Sequence, residues 1–174
     1  MPKLGAETRF EALRRTDSYI LALDQKASFT LAAGITFMGI YATLFYSLIA
    51  SESNKLNAPL LVAIIGVSLV LWAIWFSKIK AVFSPNVEPS ESKSVISFAS
   101  LTASFNSHEE YYQYFLELNK RDNLDKDIIE NHWICSKICM GKVKNFKASL
   151  KWLYISLCTS VLGLALVSFF TTFT

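Results

Sequence analysis

A chain of 174 residues with 52% hydrophobic content and a positive mean hydropathy is too apolar for one modest soluble domain and reads as a membrane protein. Its formal net charge of +3 is too small to argue for nucleic acid as a partner. Its three cysteines form no secreted disulfide framework and fit a reducing cytosol.

The first 27 residues are charged throughout and lack a short apolar region followed by a small-residue cleavage site, so no cleavable leader is expected. At 100° per residue Phe10, Leu13, Ile20 and Leu21 fall on one stripe, with Glu11, Arg15, Gln25 and Lys26 opposite. Residues 1–27 therefore read as a cytosolic amphipathic helix. Asp17 and Asp24 fall inside its apolar stripe, where an acid has to be paired, hydrogen-bonded or neutralised. The helix passes without a break into an uncharged span at about 29–50, whose roughly 22 residues give roughly 33 Å, enough to cross a bilayer core.

A short polar loop at 51–58 precedes Pro59, which suits a first helical turn, and a second span at about 59–76 returns antiparallel, making 28–77 a transmembrane hairpin. Lys78 and Lys80 follow it, while the 51–58 loop holds only Lys55, so the positive-inside rule places the N-terminus in the cytosol. Residues 84–94, with two prolines and several serines, read as a linker. Val95–Leu101, β-branched or aromatic at alternate positions, reads as a short extended strand. Ser107 with Glu110 is a capping box opening an amphipathic helix that carries Tyr111, Tyr112, Tyr114, Phe115 and Leu118 and ends near Lys120. Asp122 and Asp125 are caps for the next helix. From Leu124 no strong breaker appears, Gly141 only weakening the pattern, and the helix runs into a third span at 152–174. Lys142, Lys144, Lys147 and Lys151 before that span keep 78–151, a cytosolic helical sensing region, inside and the C-terminus periplasmic. The fold class expected is thus an all-α membrane protein with three transmembrane helices.

On the wheel of the last helix, Leu124, Ile128, Cys135, Ile138, Cys139 and Phe146 share a stripe that also holds Asn131 and Lys142. Lys142, Asp17 and Asp24 all stand roughly 7–18 Å from the membrane surface and can meet in one polar layer. The plainer reading is a structural ion pair. The functional one is a ligand pocket in which Lys142 and Asn131 meet a phosphate or base edge. His132, Cys135 and Cys139 lie on one side of this helix, but without a fourth ligand they read as small buried cysteines beside a half-exposed histidine; no metal is expected. Tyr111, Tyr112 and Tyr114 read as packing before base stacking. Glycine-rich phosphate loops, G-x-S-x-G and H-E-x-x-H are absent, and no span contains Asp, Glu, Lys, Arg or His. A non-enzymatic sensor or actuator remains.

Arg14–Arg15, Asp17–Ser18–Tyr19 and Asp24–Gln25–Lys26–Ala27 enter the first span, and Asn131, Ser136 and Lys142 precede the third. In these motifs, their order and the overall length, the sequence resembles the transmembrane effectors of Pycsar bacterial anti-phage defence. The resemblance implies a multi-pass inner-membrane protein, with no cofactor, activated by a cyclic pyrimidine mononucleotide, cCMP or cUMP, from a partner cyclase. It implies impairment of the membrane, cell death by abortive infection, and a homo-oligomer in the lipid bilayer. Asp17, Asp24, Lys26, Asn131, Ser136 and Lys142 are the ligand-binding or coupling residues it points to. A cyclic-nucleotide cassette of the F-G-E…R-x-A kind is missing, so sensing would use a helical pocket of another design. The alternatives are a membrane-anchored interaction module recruiting a protein through Tyr111–Leu118, and an enzyme using Asp17 and Asp24, which lacks a nucleophile or metal set.

Overall fold

A computed structural model describes residues 5–52, 58–84, 89–121 and 124–173. Five helices follow in order: α1 (Ala6–Glu52), α2 (Ala58–Phe83), α3 (Phe98–Ser104), α4 (His108–Arg121) and α5 (Leu124–Phe173). Among the described residues there is no strand. Most of the polar 51–58 loop, Asp122 and Thr174 lie outside the described residues. The chain divides into two compact units, one of residues 1–23 and 84–142 and the other of 24–83 and 143–174.

Two helices are long because nothing stops them. α1 has 47 residues and α5 has 50, about 70 and 75 Å at the α-helical rise, and neither contains a proline. α2 continues through Lys78 and Lys80 to Phe83, past the expected end of the second span. Among the described residues three helices, Glu7–Ala50, Pro59–Phe83 and Leu124–Phe170, are long and apolar enough to cross a membrane.

In the apolar unit, Trp72, Trp75, Ile79 and Val82 of α2 pack with Ala27 of α1 and Leu153 of α5. Farther along, Tyr41 and Phe45 pack with Val167. Small residues set the approach: a Cβ on Gly34 would stand 2.3 Å from the Trp75 ring and one on Gly163 2.8 Å from Ile64, so the bare backbone admits both neighbours. Among the described residues, side-chain hydrogen bonds that cross the unit include Tyr41 hydroxyl with Ser68 at 3.1 Å, Trp72 Nε1 donating to Ser160 at 3.1 Å and the Asn145 amide donating to the Ala81 carbonyl at 3.4 Å. Other hydroxyls fold back on their own helix, as Thr30 does to the Lys26 carbonyl and Ser156 to Trp152, which leaves few polar atoms to face hydrocarbon. Large apolar side chains such as Phe29, Tyr46 and Val62 point outward, as they do where lipid is the solvent.

The other unit corrects two expectations. Val95–Leu101 is not a strand: Ser97 caps α3 by accepting from the Ser100 N–H, and the helix runs from Phe98. A serine positioned to cap outweighs the weak β preference of a short apolar stretch. On the part of α1 in this unit, up to residue 23, the buried positions among the described side chains are Leu13 and Thr16, with Ile20 half-buried, so the packed stripe is turned by about 60° from the expected one at 100° per residue. Thr16 tolerates burial because its hydroxyl donates to the Ala12 carbonyl. Asp17, Phe10 and Leu21 are accordingly exposed.

Candidate functional site

The serine-rich segment 89–97 has no helix or ladder to satisfy its backbone, so its N–H groups need side-chain partners. Two carboxylates on the first turns of α5, Asp127 and Glu130, supply some of them, and Asn131 beside them holds a strap hydroxyl. Asp127 accepts from the Val95 N–H at 3.0 Å through one carboxylate oxygen and from the Asn131 amide at 2.7 Å through the other. The same Asn131 nitrogen donates to Ser94 Oγ at 2.9 Å, and Ser94 Oγ in turn accepts from the N–H groups of Ile96 and Ser97. One turn on, Glu130 accepts from the Glu91 N–H at 2.7 Å, the Ser92 N–H at 3.2 Å and the Ser92 hydroxyl. Ser100 closes the seam by accepting from the Ser90 N–H at 2.7 Å. Asp127, Asn131, Ser94 and Ser100 are all buried, which makes this a satisfied polar core rather than a wet surface.

The strap is held on its other side as well. Lys93 makes an ion pair with Glu110 at 2.8 Å, and its ammonium sits 5.1 Å over the Phe105 ring. The Tyr114 hydroxyl donates to the Lys93 carbonyl at 3.1 Å. Glu110 also accepts from the Asn106 N–H while Ser107 caps Glu110, so the capping box is present with its return bond one residue earlier. Tyr111 and Tyr114 pack on Phe105, as aromatics at helical spacing were expected to. Arg9 and Asp125 form an ion pair between the first turns of α1 and α5.

Two carboxylates here are held below their ordinary range. Lys93 is the main cause for Glu110, with the Asn106 N–H second. At Glu130 burial works upward, and the bonds from Ser92 and Glu91 outweigh it. The Cys135 thiol moves the other way, pushed up to about 11 by burial and then by Asp17, whose carboxylate is hydrogen-bonded to it. Among the described residues no group of His, Cys, Asp and Glu has the arrangement to hold a metal ion.

The sequence-derived site residues take different places. Asn131 is in the seam, where it fastens the strap. Ser136 donates to the His132 carbonyl at 2.7 Å and serves its own helix. Asp17 pairs with Cys135; Asp24 and Lys142 are half-buried, and Lys26 is exposed. Asp127, Glu130 and the serines were not anticipated. The signal was the i, i+3, i+4 spacing of Asp127, Glu130 and Asn131, opposite a segment whose backbone needed acceptors and donors.

Beside Glu130 lies an open cavity of about 450 Å³. Pro89, Glu91 and Ser92 of the strap form one wall, and Lys126, Trp133, Ile134 and Lys137 of α5 the other. Residues 8–169 match the family profile PycTM, the Pycsar effector protein domain. The chain belongs to the PycTM family. The match takes in both units, from the first turn of α1 to the last turns of α5, and supports an anti-phage effector role. Neither the curated proteins nor the solved structures contain a match to this PycTM chain.

Proposed function

We propose that this PycTM protein is a non-enzymatic effector of the bacterial inner membrane, switched by cCMP or cUMP from a partner cyclase into a state that impairs the membrane and kills the infected cell. The observation that carries the reading is α5. As one helix, Leu124–Phe173, it supplies the polar residues that hold the strap and also side chains of the apolar unit. A ligand that alters the seam thus acts on a helix whose other end is membrane-spanning in length. Lys78 and Lys80 after the second span and the lysines before the third support a cytosolic seam, on the side where a soluble nucleotide would be made.

A ligand moves such a switch only by binding one state better than the other, and carrying it from mostly closed to mostly open takes about 5.5 kcal/mol of differential binding. A homo-oligomer shares that requirement over several sites. The test is dye release from liposomes holding the purified protein: release on addition of cCMP or cUMP is expected, and intact liposomes with both nucleotides bound would overturn the reading. A second reading, a membrane-anchored interaction module without pore activity, is favoured by the exposed Tyr112, Phe115 and Leu116 of α4. It predicts toxicity that depends on a protein partner and occurs without leakage.

A further inference from the structure

Resting on the reading of the chain as a nucleotide-gated effector, we propose that the cavity between the strap and the first turns of α5 is where the cyclic pyrimidine mononucleotide binds. Trp133 is the first reason. It is 67% exposed on a helix face outside the apolar unit, and among the described residues its ring has no aromatic partner. An indole left open beside a cavity is a stacking platform for a planar base.

Charge placement is the second reason. Lys126, Trp133 and Lys137 are seven and four residues apart, so at 100° per residue they fall within about 40° of one another on α5. One ammonium stands about two turns before the indole and the other about one turn after it. A base stacked on Trp133 therefore has a cation on either side for its single phosphate charge. Two acids line the same cavity, Glu91 on the strap and Glu130 on α5; Lys126 acts on Glu130, whose carboxylate already accepts three donors from Glu91 and Ser92, so the cations face a phosphate beside acids of which one is largely satisfied. A volume of about 450 Å³ falls in the usual range for small-molecule sites and suits a ligand of one ring system and one phosphate.

The site also explains how occupancy would be sensed. Its walls are Pro89–Ser92 on one side and α5 on the other, and Glu130 is the residue that ties them together. A nucleotide touching both walls has an affinity that depends on how strap and helix are joined, which is the differential binding a switch requires.

Titration calorimetry on the full chain in nanodiscs, with cCMP and cUMP as separate probes, tests the assignment. Trp133→Ala is expected to weaken binding of the preferred nucleotide by about tenfold or more, while Trp133→Phe stays within about threefold because it keeps an aromatic face. Lys126→Ala combined with Lys137→Ala is expected to weaken binding further. As a measurement independent of any variant, hydrogen exchange of the wild-type protein with saturating nucleotide should slow at 89–97 and 126–137. Normal affinity in both alanine variants, or protection confined to other segments, overturns the site and leaves the nucleotide-gated reading standing. Failure of the wild-type protein to bind either nucleotide overturns both.

Discussion

Glu130 shows how one carboxylate sets a pH dependence. Its folded value lies below the ordinary 4.5, so its bonds to the strap contribute in full above that ordinary value and are lost as pH falls through the lower folded one. Amide exchange at Glu91 and Ser92, corrected for intrinsic rate, should therefore quicken at acid pH, and Glu130→Gln should remove that response. Asn131 is a different case: it is buried and donates to both Asp127 and Ser94, so Asn131→Ala strands acceptors and should cost about 1–3 kcal/mol in chemical denaturation. Cys135, with its thiol raised from 9.0 to about 11, holds about a hundredfold less thiolate than an ordinary cysteine at neutral pH. Iodoacetamide should modify it correspondingly slowly, and Asp17→Asn should speed the reaction.

At the scale of elements, close packing and continuity are separately testable. Gly34 has the Trp75 ring against it, whereas Gly39 and Gly66 meet nothing within 4 Å. Gly34→Ala should therefore destabilise by about 1–3 kcal/mol, with Gly39→Ala and Gly66→Ala nearly silent when thermal unfolding is compared in one detergent. Gly141 lies inside α5 with open space around it. Gly141→Ala should leave nucleotide-dependent leakage intact, since alanine favours helix by up to about 1 kcal/mol. Gly141→Pro, costing about 3 kcal/mol locally, should keep nucleotide binding at the seam and abolish leakage. Leakage that survives the proline would show that α5 does not have to be continuous.

For the whole molecule, the distribution of lysines predicts, by the positive-inside rule, a cytosolic N-terminus and 78–151 region and a periplasmic C-terminus. In a background lacking Cys135, Cys139 and Cys158, a cysteine at Ser53 should label with an impermeant thiol reagent in intact cells. One at Ser92 should label only after permeabilisation, and the reverse pattern would invert the topology.

Much of this protein was legible before any tertiary structure. The lengths of α1 and α5, the opening of α4 at Ser107 and the three membrane-length helices follow from local rules: unbroken apolar runs, no internal proline and a serine placed to cap. The family followed from the order of short motifs about those spans. The partners of the polar residues were not legible in this way, because a helical wheel shows which residues share a face and not what covers it. Asn131 was singled out, yet its bond to Ser94 depends on a strap from 37 residues earlier in the chain. The 60° turn of the α1 stripe has the same origin: Thr16, satisfied by its own helix, could be buried, and Asp17 was left outside. Only tertiary packing decides which polar groups exchange water for one another, because that exchange depends on long-range pairing.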